Sequence, residues 1–252
     1  MRLKINEKPP LKQIEFSCDD PISAKLNKYP LSRDFLNTFN TTAIIATQGG
    51  GKTSLTVNLL LGVYKKCFEY IFVFIPATSR ASLKNDIFAK YLPKSQLYDE
   101  LNEHTINEVY EKIKINSAKG FKSMIIFDDV QKALKQFDVL KSLKNIICNQ
   151  RHLKVVNIIL LQNWFAVDRS IREVINNVIL FKLGKSQTQK VFDEIVESHR
   201  DKFEKVRKLV YDKNHNWLFI NIRTQRIYKM WDEIIMSDDD DESDDEYRDE
   251  NV

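Results

Sequence analysis

Apolar residues fall along this chain in two rhythms. The first is a set of short, mostly apolar runs: Thr41 to Ala46, Tyr70 to Ile75, Ser123 to Phe127, Val155 to Leu161 and Val178 to Phe181. Runs of this length, rich in Ile, Val and Phe, predict strands buried on both faces. The second rhythm is an apolar residue every three or four positions, the spacing of a helix with one face inward. It predicts helices over Lys52 to about Lys66, with Leu55, Leu59, Leu60 and Val63 inward, and over Ser82 to Tyr91 and Thr105 to Ala118. Thr105 with Glu108 fits a capping box, and Gly120 follows that helix's end. Gln131 to Arg151 reads as helix in two pieces, and Asp168 opens a helix to Ile175. Ser186 with Gln189 can cap a helix running to Ser198, and another covers Arg200 to Tyr211. Trp217 to Ile222 and Arg226 to Trp231 close as a hairpin. Strands alternating with helices predict an α/β fold, a mainly parallel sheet with helices on both faces.

The polar stretches mark the ends. Residues 1–40 hold four of the six prolines, Pro9, Pro10, Pro21 and Pro30, and are expected to form an N-terminal arm with a strand at Gln13 to Phe16. Residues 41–236 are expected to form the domain, and 237–252 a disordered acidic tail. A chain of 252 residues suffices for one large or two small domains. The longest apolar runs are too short to span a bilayer, and MRLKINEKPP lacks the apolar centre of a signal peptide. Cys18, Cys67 and Cys148 are isolated and odd in number, which points to a reducing compartment without disulfides. The four histidines are scattered, with no zinc-ligand spacing.

Charge adds an asymmetry. Asp238 to Glu250 holds ten acidic residues and one basic, a net −9, which leaves +13 on the rest of a chain whose overall charge is +4. A body so basic suits a polyanion such as nucleic acid, although a lysine-rich solvated surface gives the same count. Lys132, Lys135, Lys141 and Lys144 are spaced to share helix faces and are the candidate DNA contacts, with a solvated helix surface as the alternative.

One stretch organises the chemistry. Thr42 to Leu55 reads TAIIATQGGGKTSL, and three of the six glycines are Gly49, Gly50 and Gly51. Strand, glycine loop, Lys-Thr and helix form the layout of a phosphate-binding P-loop. Glycine lets backbone N–H groups close on phosphate oxygens, and the helix N-terminus adds partial positive charge. The loop residues that would face a nucleotide are Thr47, Gln48, Gly49, Gly50, Gly51, Lys52, Thr53 and Ser54. Lys52 would reach the β- and γ-phosphates, and the Thr53 hydroxyl would ligate Mg²⁺. Where the pattern G-x-x-x-x-G-K-[ST] starts with glycine, this chain has Ala46.

Two further strand ends carry chemistry. SMIIFDDV ends a buried strand with Asp128 and Asp129, the form of a Walker B element. Asp128 would hold Mg²⁺ and Asp129 would orient or deprotonate the attacking water. Two carboxylates at one strand end point to hydrolysis, and the paired arginines of a kinase lid are not found. NQRHLKVVNIILLQN ends its strand with Gln162, which can bond both the γ-phosphate and the water, or serve only as a polar terminus. Arg151 precedes that strand and is a candidate to stabilise transition-state charge, with Arg169 and Arg172 as rivals.

Together ATQGGGKTS, IIFDDV and QRHLKVVNIILLQNWF resemble the genome-packaging ATPases of large DNA viruses, poxvirus type, in the FtsK–HerA branch of P-loop ATPases. The resemblance covers roughly Ala43 to Leu183. It implies a RecA-like fold with an additional strand, a homo-oligomeric ring, ATP and Mg²⁺ as cofactors, and pumping of double-stranded DNA into a preformed capsid. Carried over by position, Lys52 and Thr53 bind nucleotide, Asp128 and Asp129 form Walker B, Gln162 is the sensor and Arg151 the finger entering a neighbour's site. Implied partners are duplex DNA and capsid or portal-vertex proteins; implied locations are the host cytoplasm, a viral factory or the virion. Asp129 stands where many FtsK relatives carry Glu. A cellular or plasmid DNA-transfer ATPase, and a slow nucleotide-dependent assembly switch, are the alternatives.

Overall fold

The computed structural model describes residues 21–28, 38–81, 86–196 and 200–236. The expected strand at Gln13 to Phe16 and the acidic tail lie outside the described residues, as do 82–85 and 197–199. Among the described residues, nine strands form one sheet: β1 (Thr41–Ile45), β2 (Tyr70–Phe74), β3 (Leu97–Tyr98), β4 (Ser123–Phe127), β5 (Val155–Leu161), β6 (Asn177–Phe181), β7 (Trp217–Asn221), β8 (Arg226–Lys229) and β9 (Asp232–Ile234). Their order is β3-β2-β4-β5-β1-β6-β7-β8-β9. The first six are parallel, and β7, β8 and β9 add antiparallel at one edge. β5 therefore lies between the P-loop strand β1 and the Asp-Asp strand β4.

Successive side chains on a strand face opposite ways, and the sheet uses both faces. Ala43 and Ile45, Ile125 and Phe127, Ile159 and Leu161 pack into one cluster. Ile44, Met124, Ile126, Ile158 and Leu160 pack into the other. The first cluster is covered by α4 (Glu103–Ala118), α5 (Phe137–Cys148), α6 (Arg169–Arg172), α7 (Lys185–Ile195) and α8 (Phe203–Val210). On α5 the buried side chains are Val139, Leu143, Ile146 and Ile147, a stripe that recurs every three or four residues. The second cluster is covered by α1 (Lys52–Leu61), with Leu55 and Leu59, and by Phe88 of α3 (Ile87–Tyr91). Each such Leu, Ile or Phe contributes about 1.5–3 kcal/mol on leaving water. Ile22 and Leu26, from the stretch expected to be an arm, are fully buried in this second cluster.

Several boundaries differ from expectation. α1 stops at Leu61 because Gly62 takes the C-cap, and Leu60 and Val63 are only partly buried. Of the helix expected over Ser82 to Tyr91, residues 82–85 lie outside the described residues and the rest forms α3, capped by the Asp86 side chain; α2 (Ala77–Ala81) was not expected. α4 starts at Glu103. Asn102 caps it, and Thr105 supplies the return bond of the capping box that was expected between Thr105 and Glu108. α6 ends at Arg172, short of Ile175, and α7 starts after Gly184 with no cap from Ser186. The segment after β4 breaks into a 3-10 turn (Ala133–Lys135) and α5. The break at Gln136, which is extended, leaves only Lys141 and Lys144 of the four candidate lysines on one helix. The two-residue β3 and the third C-terminal strand β9 were not expected. Among the described residues, no helix is long and apolar enough to cross a membrane.

Candidate active site

The loop from Ala46 to Lys52 joins β1 to α1, and its shape is set by glycines. Gly49 and Gly51 have φ of 71° and 100°, the left-handed region where side chains are strained. Gly50 is needed for space: a Cβ there would meet the Ala46 methyl at 2.8 Å. Ala46 itself is not among the positive-φ residues, so its methyl fits where the motif prefers glycine. Gly51 caps α1 without a side-chain bond, and the first turn has no acidic residue. Its leading N–H groups are thus kept for an anion.

The period of the strands brings the functional side chains to the α1 side of the sheet. Asp128 follows Phe127 in β4 and keeps step with Met124 and Ile126, which face α1. The Thr53 hydroxyl donates to Asp128 Oδ2 at 2.9 Å. The Lys52 ammonium donates to the carbonyl oxygens of Ala46 at 2.7 Å and Thr47 at 2.9 Å, which leaves one of its three donors. Burial lowers the Lys52 pKa, against the pull of Asp128 and Asp129. Burial raises the Asp128 carboxyl, opposed by the Thr53 bond; Asp129 raises it further.

Asp129 turns the other way. Its φ of 57° puts it in the left-handed region, a strain that short polar side chains tolerate and that gathers at functional sites. Both its oxygens are held: Gln162 Nε2 donates to Oδ1 at 3.2 Å, and Ser79 Oγ donates to Oδ2 at 2.5 Å. Gln162 is the residue after β5, as expected. Ser79 was not foreseen. It lies on α2, which Arg80 fastens through ion pairs to Asp86 (3.1 Å) and Asp99 (3.0 Å). These groups line a cleft of about 540 Å³, with Gln48, Gly49, Lys52 and Thr53 on one wall and Ser79, Asp129 and Gln162 on the other.

This set fits a nucleoside triphosphate with Mg²⁺. The Thr53 hydroxyl and the Asp128 carboxylate already meet, and Mg²⁺ is usually held by one or two carboxylates plus substrate phosphates. Among the described residues there is no cluster of three His, Cys, Asp or Glu for an all-protein metal site.

The model of the poxvirus A32 protein family matches residues 30–252. The chain belongs to the poxvirus A32 family. Among solved structures, this A32-family chain is similar to the DNA-packaging ATPase B204 of Sulfolobus turreted icosahedral virus: 19% identity, TM-score 0.59, over 75% of this chain and 95% of that one. The genome packaging NTPase B204 of Sulfolobus turreted icosahedral virus 2, in complex with ATP-gammaS, gives 18% identity and TM-score 0.60, with the same coverage. At these identities the likeness shows the fold. No curated protein matches.

The arginines do not join the cleft. Arg151 is exposed, in the turn that leads into β5, and so at the far end of that strand from Gln162. Seven residues of strand separate the two, about 20 Å. Arg172 lies over the rings of Trp164 (5.7 Å) and Phe165 (5.2 Å) and is ion-paired with Glu194. Arg169 is exposed and pairs with Glu173 at 2.9 Å.

Proposed function

We propose that the chain is an ATP-hydrolysing motor that moves double-stranded viral DNA into the capsid. The observation that carries the reading is the meeting of Thr53 with Asp128, and of Gln162 with Asp129, at the mouth of a P-loop. Membership of the poxvirus A32 family, and a fold shared with the B204 packaging enzymes, support packaging as the use of that site.

The roles follow from placement. Backbone N–H groups of Gly49 and of Gly51 to Thr53 cradle the phosphates, while the Gly50 N–H holds the loop through the Thr47 carbonyl; Lys52 Nζ leaves the loop carbonyls for the β- and γ-oxygens. Thr53 and Asp128 would hold Mg²⁺, which neutralises phosphate charge when bound. Asp129 takes the proton of the attacking water, and Gln162 aligns that water. With one donor on each oxygen, the Asp129 carboxylate keeps acceptor sites open for that water. Arg151 stands far from its own cleft, so it acts on chemistry only from a neighbouring copy in a ring. Capsid or portal-vertex proteins and the basic surface around Lys141 and Lys144 complete the motor, at sites of virion assembly in the host cytoplasm.

Displacement of a third strand from a duplex tests directed movement. A motor displaces it only with ATP and an intact Lys52. Steady hydrolysis without displacement favours the assembly switch.

A further inference from the structure

The cleft accounts for the γ-phosphate end of a triphosphate, and the nucleoside end needs a place. β1 has β5 on one side and β6 on the other. All the hydrolytic groups, Asp128, Asp129 and Gln162, stand on the β4–β5 side of the P-loop. A triphosphate laid across the loop with its γ end there leaves its sugar and base toward β6 and β7.

What the chain places on that side is His215. Its Nδ1 lies 3.7 Å from where a Gly51 Cβ would stand, and the Phe181 ring at the end of β6 lies 3.4 Å from the same point. With no side chain at Gly51, the imidazole and the Phe181 ring pack directly beside the loop. His215 is exposed, in the turn before β7, and is not part of the hydrophobic core. Its φ of 64° is a left-handed conformation, one that histidine adopts more readily than most non-glycine residues. The turn is stapled in that shape: Asn216 donates to Asp212 Oδ1 at 2.8 Å, and Asp212 is ion-paired with Lys229 of β8 at 2.8 Å. Two residues on, Trp217 is nine-tenths buried beside Phe181 (ring centroids 5.6 Å apart), and its indole N–H has no partner among the described residues. An exposed aromatic ring, held against the P-loop by a rigid turn, has the chemistry to meet a flat base and its sugar.

We propose that His215 is the nucleoside contact of this site, its imidazole packing on the base and sugar of the bound triphosphate. The inference rests on the P-loop reading above. It predicts a split between ligands that share a phosphate chain and differ in the nucleoside. Calorimetric titration of the full chain with ATP and with inorganic tripolyphosphate, each with Mg²⁺, reads that split. His215→Ala should weaken ATP about tenfold or more, the usual cost of a lost base–aromatic stack, and leave tripolyphosphate unchanged. His215→Gly, which suits the positive φ, should show the same split and guards against a strained turn. Equal losses for both ligands would mean that the turn only props the P-loop, and an unchanged ATP affinity would mean no contact; either overturns the proposal. A wild-type chain that binds neither ligand would sink the ATPase reading itself, and this one with it.

Discussion

The two ends of the parallel strands are both polar, and they are polar in opposite ways. At the amino ends the groups are neutral and bond mostly to one another. Thr41 Oγ1 donates to Gln150 Oε1 and accepts from Asn157 Nδ2, at 2.8 and 3.0 Å. Gln150 Nε2 donates to Asn176 Oδ1 at 2.8 Å, and Asn40, Thr42, Asn177 and Asn221 form a second chain of bonds. Gln150, Asn157, Asn177 and Asn221 are all buried. At the carboxyl ends the groups are charged and line a cleft: Lys52, Asp129 and the buried Asp128, with Ser79 and Gln162. A buried amide ladder fixes strand register without net charge, although the Asn157 Oδ1 and Ser123 Oγ atoms have no partner among the described residues. Two adjacent carboxylates and a desolvated lysine cost the empty fold stability and repay it only with a ligand. The comparison separates the edge that builds the sheet from the edge that uses it.

Arg151 breaks the comparison if it acts, because it belongs to the building edge. The trans reading predicts that Arg151→Ala binds ATP normally and loses about three to five powers of ten in hydrolysis. Mixing it with Lys52→Ala should restore activity, because mixed rings hold interfaces with one intact lysine facing one intact arginine. Phosphate release across mixing ratios, with subunit exchange followed by labelled protein, decides it. No recovery despite exchange moves the role to Arg169 or Arg172.

Asp129→Asn sharpens the functional edge. It should bind ATP as the wild type does and hydrolyse it about 10²–10⁴-fold more slowly, the span of a lost general base. Single-turnover rates beside equilibrium binding check this, and equal damage to binding would contradict the division between Asp128 and Asp129.

Gln150→Leu tests the building edge. It orphans partners of a buried ladder and should cost about 1–3 kcal/mol of stability. Thermal unfolding should show that loss, while turnover per folded molecule at saturating ATP stays at the wild-type level.

The smallest effect concerns Asp128. Burial raises its carboxyl above the ordinary value, so the folded chain holds this proton to higher pH than the unfolded chain does. The ionised group therefore lowers stability as pH climbs from the ordinary Asp range through the raised value. Asp128→Asn removes that cost. The ligand-free variant should melt higher than wild type at neutral pH, by about 2–4 °C for each kcal/mol recovered, and the gap should close below the ordinary Asp range. Thermal scans at the two pH values read both.

The functional edge was legible because its parts are written locally. Three glycines before Lys52, and paired carboxylates after an apolar run, sit in consecutive residues. Gln162 was legible from its place after the β5 run. Ser79 was not, since its bond to Asp129 spans fifty residues and α2 is one short turn without a buried side chain. His215 was missed for the same reason: only folding brings it to Gly51. In the fold, the five central strands were legible as apolar runs, while β3 and β9, of two and three residues, carry no period. The α5 boundary was blurred because the apolar spacing runs on through Leu134, and the chain turns extended at Gln136 all the same.

The most direct test is steady-state phosphate release by the full chain with Mg²⁺ and ATP, with and without duplex DNA, beside Lys52→Ala. The account predicts turnover that duplex DNA accelerates, and a Lys52→Ala rate lower by about 10²–10³-fold in both conditions. Turnover indifferent to duplex DNA would contradict the motor, and turnover retained by Lys52→Ala would contradict the site.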